Sequence, residues 1–215
     1  MSKAADSSET NRLLKQVAAG DSAGWNILLT RYRQRLRRMV AFRLDRRLRG
    51  RIDASDVLQE AYLDASDRLA DYLQNPSMPF YLWLRYLTRQ RMLIFHRRHL
   101  GAQARDAGRE VSLHAGTYPA TTSAALAAQL LGQRTRPSEA AIRAEMKIRL
   151  QEALNSMDSL DREVLTLRHF EHLSNADAAH ELGIQDSAAS KRYLRALRRL
   201  KEILTKIGGP GEMGL

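Results

Sequence analysis

The stretch Leu173–Leu200, LSNADAAHELGIQDSAASKRYLRALRRL, decides how the rest of the chain is read. Ser174 followed by Asp177 has the form of a capping box and predicts a short helix starting there. Leu182–Gly183–Ile184 supplies a tight turn between buried flanks, and Asp186 or Ser187 can cap the next helix. In that second helix Ala189, Tyr193, Ala196, Leu197 and Leu200 share an inward face. Its other faces carry Ser190, Lys191, Arg192, Arg195, Arg198, Arg199 and Lys201, with no acid between Ser187 and Lys201. A short helix, a glycine turn and a basic helix predict a helix-turn-helix, whose second helix can enter a DNA major groove. The plainer alternative is a basic helix that only faces water in a bundle. Cap, glycine and one-sided basicity occurring together favour DNA.

The whole chain agrees with that reading. It has 215 residues, with 35 Lys and Arg against 24 Asp and Glu, a formal net charge of +11. The surplus points to a polyanionic partner, nucleic acid or an anionic surface, and says nothing about fold. The absence of cysteine excludes disulfides, Cys-ligated zinc, iron–sulfur clusters and thiol catalysis. No apolar run approaches a membrane span, and Met1–Thr10 lacks a signal-peptide apolar core. The expectation is a cytoplasmic protein with no membrane insertion.

Five prolines and long 3.6-period patterns predict an all-α chain. A short apolar face at Leu13, Leu14, Val17 and Ala18 ends at Gly20, with Asp21 or Ser22 capping a second helix from Ala23 towards Arg47. A third starts at Asp53 and keeps Val57, Leu58, Ala61, Tyr62, Ala65, Leu69 and Tyr72 on one side. Gln74–Pro79 breaks it, and a fourth runs from Phe80 to about His99. Residues 9–100 therefore form one helical domain. Residues 101–137, rich in Ala, Gly, Thr and Ser, read as a flexible linker with one transient helix at Ala124–Leu131. Residues 138–207 form a second helical domain that ends in the helix-turn-helix.

Three further patterns bear on function. Between Arg31 and Arg51 there are ten arginines and one acid, Asp45, whereas Asp53–Asp71 holds six acids opposed only by Arg68. Asp56, Glu60, Asp64, Asp67 and Asp71 make one stripe, whose mutual repulsion implies a basic partner. On the residues alone, the Arg31–Arg51 helix of the same domain is the simpler partner. In the fourth helix Phe80, Tyr81, Trp83, Tyr86 and Phe95 interleave with Arg85, Arg89, Arg91, Arg97, Arg98 and Arg105, a mixture suited to stacking bases and tracking phosphates. Trp83 reads as core, and Tyr81 and Tyr86 as exposed. His96 and His99, and His169, His172 and His180, lack the Cys or carboxylate that would complete a zinc site. Phosphate-loop, nucleophile-elbow and HExxH patterns are absent, so neither a catalytic constellation nor a cofactor is expected.

Together these segments resemble the bacterial sigma-70 family, in particular its small extracytoplasmic-function members built from regions two and four. GDSAGWNILLTRYRQRL, residues 20–36, resembles the opening of region two, and DASDVLQEAYLDA, residues 53–65, resembles the family's DAEDLVQETFLRA. Phe80, Trp83 and Leu84, followed by Arg97 and Arg98, resemble its F-x-x-W-L helix and basic end. Residues 160–200 resemble region four almost end to end. Gln90 and Ile94 depart from the usual Asn and Asp, and Ala188–Ala189 from a common Thr-Val pair.

The resemblance implies a four-helix region-two domain, a region-four helix-turn-helix domain, and a non-enzymatic subunit of transcription initiation. Asp53, Asp56, Gln59 and Glu60 would face the clamp coiled coil of the largest subunit of core RNA polymerase, with the flap region as a second contact. Asn75, Ser77, Tyr81, Tyr86, Arg89, Arg97 and Arg98 would serve −10 recognition and melting. Ser187, Ser190, Lys191, Leu194 and Arg195 would read the −35 duplex, with Arg192, Arg198 and Arg199 on phosphates. Promoter DNA is the implied nucleic acid, and an anti-sigma factor a further partner. The rivals are a stand-alone dimeric helix-turn-helix regulator, which leaves the Asp53–Glu60 pattern unused, and a DNA-acting enzyme, for which Ser22, Ser55 and Tyr193 lack activating neighbours.

Overall fold

A computed structural model of the chain describes residues 3–44, 48, 50–104, 123–131 and 140–208. The protein is all-α, with no strand among the described residues. It divides into two compact units, Met1–Pro119 and Ala120–Leu215. Of the stretch expected to be a linker, residues 105–122 and 132–137 lie outside the described residues.

The first unit contains α1 (Lys3–Ala18), α2 (Ser22–Arg43), α3 (Ala54–Asp67), α4 (Leu69–Gln74) and α5 (Phe80–Ala104). Gly20, at φ +93°, turns the chain from α1 into α2, a conformation an L side chain rarely adopts. Asp21 then caps α2 by accepting from the Ala23 N–H at 2.9 Å. Helix α2 ends at Arg43, short of the expected Arg47, because Leu44 is already extended at φ −68°, ψ 123°. Leu28, Tyr32, Leu36, Met39 and Val40 of α2 are buried with Val57, Leu58, Ala61 and Ala65 of α3 and Leu82, Leu84, Leu87 and Met92 of α5. Each such large aliphatic contributes roughly 1.5–3 kcal/mol relative to exposure.

The expected continuous helix from Asp53 to Tyr72 is broken at Arg68 (φ −100°, ψ 3°) into α3 and α4, and Tyr72 is buried as expected. Tyr72 stacks on Trp83 at 4.5 Å and meets the Phe80 ring edge-on at 5.7 Å, while its hydroxyl donates to the Met78 carbonyl at 2.9 Å. One aromatic cluster therefore anchors both ends of the Asn75–Pro79 loop.

The second unit contains α6 (Ser123–Leu130), α7 (Ala140–Asn155), α8 (Ser159–Leu165), a π-helical turn (Thr166–Phe170), α9 (Asn175–Leu182) and α10 (Asp186–Gly208). Helix α6 occupies the segment expected to be a transient linker helix, and it packs on α7 with Leu126 and Ala127 buried. Helix α10 packs on α7, α8 and α9. Asp158 caps α8, and Arg162 Nη1 donates to the Leu154 and Met157 carbonyls at 2.9 and 2.8 Å, which satisfies the end of α7.

After the π turn the chain reverses at His172, held at φ +56° without being glycine. That region costs a side-chain-bearing residue about 1–2 kcal/mol, partly offset by the extra chain entropy glycine loses on folding. His172→Gly is therefore expected to stabilise this unit by about 0.5 kcal/mol and raise its melting temperature by a few degrees. Thermal unfolding followed by circular dichroism checks this; an unchanged or lower Tm would refute it.

Candidate functional site

The N-terminus of α3 is built by two carboxylates. Asp53 Oδ1 accepts from the backbone N–H of Ser55 at 2.5 Å and of Asp56 at 3.0 Å, and Asp56 Oδ2 accepts from the Asp53 N–H at 2.8 Å. This reciprocal box leaves both residues exposed, with Gln59 exposed one turn later. Lower on the same stripe the charges find a partner within the unit. Arg91 of α5 forks onto Asp64 through Nε and Nη2 and reaches Glu60 at 3.4 Å. Among the described residues the basic partner of this part of the stripe is thus Arg91 of α5, which packs on α3. Of the predicted polymerase-facing residues, Asp53, Asp56 and Gln59 point outward, while Glu60 is shared with Arg91. Beside them lies a cleft of about 430 Å³, lined by Trp25, Leu29, Leu58, Tyr62 and Leu63 among others.

The Arg91 hydrogen bonds hold the Asp64 carboxyl below the usual carboxylate range, against the upward push of burial. A carboxyl held low in the folded state contributes stability that is complete above its unfolded value of 3.8 and is lost as pH falls through the lower folded value. Asp64→Asn is expected to flatten the acid limb of a stability–pH curve below about pH 4. Both tryptophans, Trp25 and Trp83, lie in this unit, so urea midpoints read by fluorescence report on it. An acid limb identical to wild type would rule the contribution out.

The residues expected at the −10 strand separate into outer and inner groups. Asn75 and Ser77 are exposed in the loop before α5, Tyr86 is 37% exposed with Arg89 over its ring at 5.2 Å, and Arg97 and Arg98 are exposed further along α5. Tyr81 is buried, contrary to expectation. It lies against Tyr32 at 5.2 Å with the Arg35 guanidinium 3.7 Å over its ring. Tyr81, Leu84, Arg85, Thr88 and Met92 recur at helical spacing on the inward face, so Arg85 is buried too and does not line an outer phosphate track. Arg91 is likewise engaged by Asp64, and Arg105 lies outside the described residues.

In the second unit Ser174 Oγ accepts from the Asp177 N–H at 3.1 Å to start α9, and Gly183 ends it in the left-handed region at φ +63°. Asn175 Nδ2 donates across the turn to the Asp186 carbonyl at 2.7 Å, which ties the two helices together. On α10 Ala189, Ala196 and Leu200 are buried, whereas Ser187, Ser190, Lys191, Leu194 and Arg198 are exposed. Leu194, at 54% exposure, is an unusual outward apolar group. Arg195 and Arg192 are held from below by Asp161. Arg195 Nε donates to Asp161 Oδ2 at 2.6 Å and Nη2 to Oδ1 at 2.8 Å, while Arg192 Nη1 donates to Asp161 Oδ1 at 2.8 Å and reaches Asp158 at 3.3 Å. These hydrogen bonds, Arg195's first, hold the Asp161 carboxyl below its ordinary value. Arg199 pairs with Glu202 at 3.1 Å.

Residues 147–200 match the family described as Sigma-70, region 4. The ECF RNA polymerase sigma factor SigD of Mycobacterium bovis is 27% identical over 196 residues, which cover 91% of this chain and 84% of SigD. The chain is thus similar to sigma-70 factors of the extracytoplasmic-function group, and residues 147–200 carry the region-four match. A second relative, named "Probable RNA polymerase sigma factor RfaY", of Xanthomonas campestris pv. campestris, is 29% identical over 145 residues. That match covers 66% of this chain and spans about a third (32%) of the relative's own length. A solved structure of CnrH in complex with the cytosolic domain of CnrY shares the fold, with a TM-score of 0.52 and 23% identity over 92% of this chain and 98% of that one.

The region-four match begins within α7 and ends at Leu200 of α10, so it takes in the helix-turn-helix. Two participants escaped the sequence reading. Arg91 as the ligand of Asp64 lies 27 residues away, and Asp161 as the ligand of Arg195 lies 34 residues away. Asp158 and Asp161 read locally as helix-capping acids; nothing in their neighbourhood signals α10. No group of three or more metal-ligating side chains occurs among the described residues, and no described helix is long and apolar enough to cross a membrane.

Proposed function

We propose that the chain is an alternative sigma subunit, cytoplasmic and without catalytic activity, that binds core RNA polymerase and directs it to promoters. The observation that carries the reading is the co-occurrence in one chain of two surfaces. One is an outward acidic helix start at Asp53, Asp56 and Gln59; the other is a helix-turn-helix whose recognition edge at Ser187, Ser190, Lys191 and Leu194 is exposed. The acidic edge suits a basic coiled-coil clamp, with the flap as a second site. The edge of α10 suits the −35 major groove, with Arg198 and Arg199 placed for phosphates. Asn75, Ser77, Tyr86, Arg89, Arg97 and Arg98 form the corresponding −10 set. Extruding a −10 base costs a few kcal/mol, which polymerase binding must offset. CnrH is solved in complex with the cytosolic domain of CnrY, and an anti-sigma factor is a further partner class for this chain.

Run-off transcription with purified core enzyme on a promoter library tests the proposal. Core-dependent, start-site-specific transcripts are expected. Palindromic footprints without polymerase would instead favour a dimeric regulator.

A further inference from the structure

Building on the sigma reading above, we propose that Asp161 is a positioning residue for promoter recognition: it aims the Arg195 guanidinium at the upstream duplex and thereby sets base preference there. Asp161 sits in the first turn of α8, is 5% exposed, and accepts three N–H donors from α10. Arg195, by contrast, keeps 60% of its side chain in solvent. A guanidinium carries five N–H groups in one plane. Asp161 occupies the side-on pair, on Nε and one half of Nη2. The end-on pair, on Nη1 and the other half of Nη2, remains for an outside acceptor. That end-on edge matches the O6 and N7 of guanine in a bidentate contact, which needs a fixed plane as well as a charge.

Two consequences separate aiming from simple attraction. An unbuttressed arginine on an exposed helix must be ordered when it binds, whereas Arg195 is ordered beforehand. The carboxylate also cancels one of the two positive charges it holds, which lowers sequence-blind attraction to phosphate. The node therefore trades general affinity for direction. Asp158, which caps α8 while reaching Arg192, keeps Asp161 at the right height along the helix.

The test uses the full chain with core polymerase on a library randomised across the upstream element, comparing wild type, Asp161→Asn, Arg195→Ala and the double variant. Asp161→Asn and Arg195→Ala are expected to flatten preference at the same one or two positions by roughly tenfold. The double variant is expected to flatten it no further. Asp161→Asn should also raise affinity for non-promoter duplex a few-fold, a gain that damaged folding cannot produce. Should that variant fail to fold, Asp161→Glu keeps the charge but displaces it by one methylene. It is expected to flatten the same positions while leaving non-promoter affinity at the wild-type level.

An unchanged base profile with uniformly lower activity in the folded Asp161 variants overturns the inference, as does flattening at positions other than those of Arg195→Ala. If Arg195→Ala itself leaves the profile intact, base reading by Arg195 and its aiming by Asp161 both fall, while core-dependent initiation by the wild type leaves the sigma reading standing. Absence of any core-dependent initiation removes that reading and this inference with it.

Discussion

Replacing Asp56 with arginine is expected to weaken binding to core RNA polymerase by about ten- to a hundredfold while leaving the first unit folded. The expected loss follows from the charge of a basic clamp meeting a reversed charge at the exposed start of α3. The structure adds a complication, because Asp56 also closes the reciprocal cap by accepting from the Asp53 N–H. Losing that bond and placing a cation at the positive end of the helix costs about 1–2 kcal/mol of fold stability in all. Asp53 still caps Ser55, so the helix keeps its start. Gln59→Arg is the cleaner companion, since Gln59 is exposed one turn along and takes no part in the cap. Both variants should lose affinity in a fluorescence titration against core enzyme, with urea midpoints showing a deficit for Asp56→Arg alone. Undiminished affinity in both folded variants would show that this edge does not meet the polymerase.

Tyr81→Ala is expected to destabilise the first unit by about 3–5 kcal/mol, as truncation of a buried aromatic ring does. Its ring fills the space between Tyr32 and Arg35, where no smaller side chain restores the contacts. Alanine at Asn75, Ser77 or Tyr86 removes exposed groups instead, and should leave the unfolding free energy within about 0.5 kcal/mol of wild type. Those three variants are expected to form closed complexes normally and to open promoters slowly, read as reduced permanganate reactivity of −10 thymines. A Tyr81→Ala protein as stable as wild type would contradict the packing described here. Equal thymine reactivity in the other three would remove the loop from promoter melting.

What could be read from the chain followed the range of the interactions involved. The helix-turn-helix was legible because its signals are local: a serine cap, a left-handed glycine and a run of one-sided cations all lie within 28 residues. The all-α class and the first-unit core were legible because apolar periodicity reports directly on which helix face is buried. The break at Arg68 was not, since an arginine between Asp67 and Leu69 carries no breaker chemistry. Tyr81 was misread because an aromatic beside arginines looks alike whether it faces bases or core. The packing of the helix start after Pro79 settles it, and there all six residues from Phe80 to Arg85 are buried. The two carboxylate–arginine nodes were invisible for a simpler reason: each joins helices far apart in sequence, and charge type alone does not choose partners.

The π turn at Thr166–Phe170 has an evolutionary corollary. The Glu171 N–H reaches back five residues to the Thr166 carbonyl at 2.9 Å, where an α-helix would reach back four. Such a widened turn holds one residue more than the α-helical path needs. Deleting one residue there would restore α-helical bonding, yet rotate everything downstream by about 100° around the axis. Leu173, now buried and bonded back to the Leu167 carbonyl at 2.8 Å, would swing out of the core. The extra residue therefore acts as a length gauge between α8 and the helix-turn-helix, so this segment should resist indels far more than it resists substitutions.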